Sequence, residues 1–370
     1  MTKDLFGFSV SINGASDTIV VSAPEANNST GYVKVYKLIS DTWVQYGNKI
    51  SGESIDDVFG YSLDINFTGD IIAISSPYAD NTIGYVKVYK YTSGDWFLLG
   101  NKITGNFISD IFGFSISIND IGDTIVISAH GSDNYKGYVK VYKYKIGLWI
   151  QKGDTLTGEH SSEHFGHSVS INDKGNIIAI GAFYANNWTG YVKVYKLIND
   201  IWIQQGNKLP GDVEYDFFGV SVSINSSGDI IAIGSYGSDT AKGYVKVYKF
   251  NSGDWFLLGN KITGNISTDF FGYSISINSI GNVVVIGAYN ADNQTGYVKV
   301  YKYISGIWLE EGKEIHGEHI GEHFGNLVSI NSTGDILVSG AYGGNSITGY
   351  VKVHKLVSDS WIQQGNKITS

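Results

Sequence analysis

Six histidines stand in two short acidic stretches: His160, His164 and His167 beside Glu159 and Glu163, and His316, His319 and His323 beside Glu318 and Glu322. Imidazole and carboxylate ligands of this kind suit zinc or nickel. These stretches precede strand-like sequence, however, and are not the helical pair that an H-E-x-x-H site requires. They also match one another 159 residues apart, as Gly158-Glu159-His160 and Gly317-Glu318-His319, which marks a duplication. No metal site is expected from them.

A second chemistry is sugar recognition, in which Asp and Asn bond hydroxyl groups and aromatic rings stack on C–H faces. One column of such residues recurs at Asn27, Asp80, Asp133, Asn186, Asp239, Asp292 and Asn345. Aromatic residues accompany it at Tyr78, Phe183, Tyr184, Trp188, Tyr236, Tyr289 and Tyr342. The candidate ligand-binding set is therefore Tyr78, Asp80, Asn81, Asp133, Asn186, Trp188, Tyr236, Asp239, Tyr289, Asp292, Tyr342 and Asn345. The competing reading is that Asp and Asn make turns. A second acidic column, Asp4, Asp57, Asp110, Glu163, Asp216, Asp269 and Glu322, reads as caps on local amides.

A third column holds Lys34, Lys87, Lys140, Lys193, Lys246, Lys299 and Lys352 between valines and tyrosines. One such lysine would suggest a catalytic amine; seven equivalent copies point to structure, with the stem packed and the amine beside an acceptor. No Ser-His-Asp order, phosphate-binding glycine loop or unique carboxylate pair rises above the repetition, and catalysis needs one differentiated constellation. The chain reads as non-enzymatic, without a cofactor.

The elements behind these columns follow from one period. Phe-Gly recurs every 53 residues, from Phe6-Gly7 to Phe324-Gly325, and seven copies of 53 account for essentially all 370 residues. In the second copy, Tyr61, Leu63 and Ile65 alternate with smaller residues, the period of a strand. A turn at Asn66-Phe67-Thr68-Gly69-Asp70 leads to the apolar strand Ile71–Ile74. A polar loop then precedes Gly84-Tyr85-Val86-Lys87-Val88-Tyr89, and a last turn leads to Trp96-Phe97-Leu98-Leu99. Trp43, Trp96, Trp149, Trp202, Trp255, Trp308 and Trp361 occupy that fourth strand in every copy, and only Trp188 lies elsewhere.

Each copy is thus a four-stranded antiparallel meander with no helical segment. Such units, four to eight in number, are the signature of β-propeller blades. The first and last copies are as regular as the others, so nothing resembles the caps of an open solenoid. The expected fold is an all-β, seven-bladed β-propeller of 53-residue repeats. It forms one domain over 1–370, with blades near 1–52, 53–105, 106–158, 159–211, 212–264, 265–317 and 318–370. Closure is expected without exchange of strands between the termini.

The net charge of −9 argues against nucleic acid, and no apolar run approaches a membrane span. With no cysteine, disulfides and thiolate sites are excluded. With five residues ahead of the first Phe-Gly, no signal peptide is expected within this chain, which leaves open one removed before it begins.

Phe-Gly at the first strand, Ala23-Pro24, Gly181-Ala182-Phe183 or Gly287-Ala288-Tyr289 after the second, and Gly-Tyr-Val-Lys-Val-Tyr in the third resemble FG-GAP-type repeats. These build the propellers of integrin α subunits and of microbial secreted proteins, and the Trp-x-Gln-x-Gly segment is most similar to the microbial form. The resemblance spans all seven copies. It implies an extracellular or surface location and a role in adhesion or recognition, with a glycan or protein ligand and a monomeric ring. Calcium-binding members carry an Asp-rich loop between strands one and two. Here that connection is as short as Asn225-Ser226-Ser227-Gly228-Asp229, too poor in oxygen ligands for calcium.

Overall fold

The computed structural model describes residues 4–237, 241–343 and 349–370. Seven antiparallel sheets follow one another along the chain, each built from consecutive strands. In the fourth blade the strands are Ser168–Ile171, Ile177–Ala182, Tyr191–Ile198 and Ile201–Gln204, with a short addition at Leu209–Pro210. The second strand pairs with the third from Ile177 opposite Lys196 to Ala182 opposite Tyr191. The outer strand is broken: Ile201–Gln204 and Leu209–Pro210 pair with opposite ends of the third strand. Every blade repeats this division.

Neighbouring blades cover both faces of a sheet, so the second strand reads as a continuous apolar run and is buried along its length. The hydrophobic core accordingly lies between blades. One cluster joins Val139 and Val141 of blade 3 to Val169, Ile171, Ile178 and Ile180 of blade 4 around the fully buried Phe165. The Phe-Gly pair belongs to this seam. It precedes the inner strand in most blades, and only the third strand set begins on it, at Phe112–Ile118. Gly137, at φ +78°, lies so close to Phe165 that a Cβ would stand 2.2 Å from its carbonyl oxygen.

The inner strands are sheet edges, whose free N–H groups need acceptors. Serines of the preceding blade supply them: Val169 N–H donates to Ser115 Oγ at 3.1 Å and Ile224 N–H to Ser170 Oγ at 3.1 Å. At the outer rim each tryptophan donates Nε1–H to the blade before it, as Trp202 does to the Lys152 carbonyl at 3.0 Å. Gly153 leaves room for that indole, since a Cβ there would lie 2.6 Å from Trp202 Cδ1. The same two contacts close the ring. Ile12 N–H donates to Ser329 Oγ at 3.3 Å, and Trp43 Nε1–H donates to the Gln364 carbonyl at 3.0 Å. The last blade is completed by its own C-terminal strands, and among the described residues no N-terminal strand joins it.

Candidate functional site

The loop between strands two and three begins with a single turn of left-handed backbone where a loop without helical character was expected. In blade 4 the φ/ψ angles are 53°/60° at Asn186 and 55°/44° at Asn187, and Trp188 follows at φ 62°. Asn27, Asp80, Asp133 and Asp292 adopt the same conformation, with φ between 50° and 55°. Asp and Asn tolerate this region better than other residues that carry a Cβ. The Asx column therefore has a backbone reason. The residue two places after the Asx position catches the next blade with its carbonyl: Phe217 N–H donates to Trp188 O at 2.8 Å, and Ile111 N–H to Thr82 O at 2.8 Å. The Asp80, Asn81, Asp133, Asn186 and Asp292 side chains are nevertheless exposed on the loop face. Asp239 and Asn345 lie outside the described residues.

The second acidic column is buried from Asp57 to Glu322, and Asp4 is half-buried. Asp216 accepts from the Tyr244 hydroxyl at 2.7 Å and from the amides of Asp212 and Val213 at 2.6 and 3.0 Å. Glu163 likewise takes the Tyr191 hydroxyl at 2.8 Å. Burial, reinforced by the adjacent carboxylate, pushes the phenols of Tyr191 and Tyr244 far up. These acids fasten the loops that lead into each blade.

The aromatic residues converge. Phe8, Tyr61, Phe114, His167, Phe183, Phe217, Tyr236, Tyr273, Tyr289, His323 and Tyr342 form a closed crown around the channel mouth, with consecutive ring centroids 3.9 to 6.1 Å apart. Tyr78 joins it by packing edge-on against Tyr61 at 5.6 Å. Burial raises the Tyr342 phenol to about 12 and the Tyr236 and Tyr289 phenols higher, so all three remain O–H donors. Sequence reasoning found Tyr78, Tyr236, Tyr289 and Tyr342 but missed Phe8, Tyr61, Phe114 and Tyr273. Their signal was an aromatic residue recurring directly after Phe-Gly, and it was read only as strand alternation.

The histidines divide. His167 is part of the crown, His164 and His130 pack against its outer side, and His160 lines a groove beyond them. Burial holds His164 down at about 4 and His167 at about 3, and it lowers His130 strongly, with the two neighbouring imidazoles adding to the effect. Among the described residues, Glu159, His160 and Glu163, and likewise Glu318, His319 and Glu322, bring ligand atoms within 4.8 Å of one another. Their carboxylates are already engaged. Glu159 binds Lys193 at 2.6 Å and Lys208 at 2.9 Å, contacts that hold its carboxyl down at about 2. Five of the column lysines, Lys87, Lys193, Lys246, Lys299 and Lys352, have carboxylate partners, and the amines of the column also lie over tyrosine rings, as Lys193 does over Tyr191 at 5.6 Å and Lys140 over Tyr138 at 5.1 Å.

The turns between strands one and two are closed on themselves. Asn225 Oδ1 accepts the amides of Asp229 and Ile230 at 3.0 and 2.9 Å, and its Nδ2 donates to Asp229 at 3.0 Å. On that face the channel mouth holds Asp120 and Asp173, and burial together with the Asp173 charge pushes Asp120 up to about 7.

The loop face also carries a groove of about 770 Å³ at blade 4. It runs between the lead-in at His160–His164, the turn at Tyr184–Trp188, and Glu214 and Tyr215. A related groove in blade 6 lies between Ile266–Asp269 and Asn290–Gln294.

No protein-family model matches the chain, and no curated protein matches its sequence. Solved structures match its fold. A Bacteroides uniformis protein provisionally named a 6-phosphogluconolactonase superposes with a TM-score of 0.69 at 12% identity, over 95% of this chain and 96% of that one. Hydrazine synthase of Kuenenia stuttgartiensis superposes with a TM-score of 0.64 at 10% identity, over 97% of each chain. At such identities the likeness concerns the fold alone. No described helix is long and apolar enough to cross a membrane.

Proposed function

We propose that this chain is a non-enzymatic recognition propeller that binds glycans through several similar sites on the face carrying the loops between strands two and three. One observation carries the reading: exposed Asx side chains and a continuous crown of aromatic rings share that face. The blade 4 and blade 6 grooves support multivalency, because the same loop pair forms both. Linked weak sites gain about 10²- to 10⁴-fold in avidity when the geometry permits simultaneous engagement. The FG-GAP resemblance supports a surface or extracellular setting.

A glycan array probed with the intact ring tests this reading. Sugar-competable binding is expected. It should be lost when Asp80, Asn186 and Asp292 are each replaced by Gly, the residue that keeps positive φ without a side chain. Alanine would add backbone strain and confuse the result. Normal binding by the triple glycine variant would overturn the loop assignment.

A second reading has its own support. Ile55, Phe107 and Ile108, each more than 60% exposed, stand in the lead-in loops of the adjacent blades 2 and 3. They suit a protein partner in a structural or interaction module of a surface or particle. A blank array with a specific protein pull-down would favour that reading.

A further inference from the structure

The seven blades are alike in backbone but not in what they display. The third left-handed position of the loop holds Ser29, Thr82, Tyr135, Ala241 and Gln294 in other blades, and Trp188 in blade 4. The matching position of the next lead-in holds Asp56, Ser109, Ser162, Thr268 and Gly321 elsewhere, and Tyr215 in blade 5. Trp188 at φ 62° and Tyr215 at φ 64° are bulky residues in a region that bulky residues avoid. Val58, Ile111, Tyr135, Phe217 and Phe270 share that conformation, so it belongs to the repeat; what sets blade 4 apart is that two exposed aromatic rings occupy facing positions. Burial does not require these rings, since Trp188 is 39% and Tyr215 52% exposed. Their centroids lie 4.8 Å apart at a tilt of 55°, along the wall of the blade 4 groove.

We infer that this groove is the ring's principal subsite and takes a neutral oligosaccharide, with one pyranose lying face-down on the Trp188 indole and Tyr215 closing the end. This rests on the glycan reading above. A sugar offers a C–H face for the indole and hydroxyls for polar groups at its edge. The groove supplies both: Asn187 Nδ2 donates to Glu214 Oε1 at 3.0 Å, fixing an amide and a carboxylate at the rim, and His160 and Ser161 line the other side. Charge selects the sugar class. Glu214 stands at the rim and no lysine or arginine lines the groove, so a sialylated or sulfated glycan would meet an uncompensated negative charge.

Trp188 also provides the readout, because the six column tryptophans from Trp43 to Trp308 are only 3–7% exposed. Cellohexaose, chitohexaose, maltohexaose and mannohexaose should be titrated into the intact ring while tryptophan emission is followed, with calorimetry in parallel. One of the four is expected to shift the emission saturably. Trp188→Asn and Tyr215→Gly should each weaken that sugar by about tenfold or more. The melting temperature should hold or rise, because Asn and Gly fit positive φ. Unchanged affinity in Trp188→Asn would sink the groove while leaving glycan binding elsewhere on the face intact. A clear fall in melting temperature would make the pair a structural clasp instead. Preference for a sialylated or sulfated probe would overturn the neutral assignment. If none of the four binds, the groove proposal fails, and a blank array in addition would remove the parent reading.

Discussion

A residue placed seven times by a repeat is informative where one copy departs from the rest. His164 takes a position that Phe217 and Phe270 fill in later blades, and His167 takes one that Phe8 and Phe114 fill in earlier ones. Both imidazoles sit among rings, with Phe114 5.0 Å and Phe183 3.9 Å from His167, and burial keeps them neutral. Their folded pKa values lie below the ordinary 6.5, so the unfolded chain takes up protons first as the solution is acidified. Their contribution is complete above pH 6.5 and is lost as the pH falls toward 3. For the enclosed His167 the loss is roughly 1.4 kcal/mol per pH unit. A His164→Phe/His167→Phe variant should therefore melt with a shallower dependence between pH 7 and pH 4.5 than the parent. Parallel melting curves across that range would show that these imidazoles are solvated.

Between elements, two devices hold each blade to the next, and both satisfy backbone groups that a strand edge leaves open. Serine hydroxyls serve the channel strands. Asp64 substitutes for one of them, accepting the Ile118 amide at 2.9 Å and the Ser11 hydroxyl at 3.1 Å. The tryptophan staple serves the rim. Trp202→Phe keeps an aromatic ring but leaves the Lys152 carbonyl without its donor, for a loss of about 2 kcal/mol with the cavity included. The urea midpoint should drop at an unchanged m-value. Trp188, which makes no such staple, should tolerate replacement without that loss. Equal destabilisation at both positions would remove the staple from the account.

At the scale of the whole molecule, the junction between blades 7 and 1 repeats the other six in its serine and tryptophan contacts. A single residue joining Ser370 to Met1 would keep the Phe-Gly spacing at 53 across the junction. A circular permutant with that linker, opened between Asn106 and Phe107 in an exposed loop, should melt within a few degrees of the parent. A collapse in stability would mean that the seam between the termini differs from the others. The sequence by itself determined the strand order, the blade number and the residues at each repeat position, because a 53-residue period and strand alternation are local properties. It also identified Trp188 as the one tryptophan outside its column. Only the tertiary structure decided what those positions do. The Asx column proved to be left-handed backbone in a turn whose following residues dock the next blade, and the acids before Phe-Gly proved to be clamps on tyrosines. Rings far apart in sequence met as a crown because closure sets one copy of each loop beside the next. Tyr215, silent in the sequence, became half of a groove by the same closure.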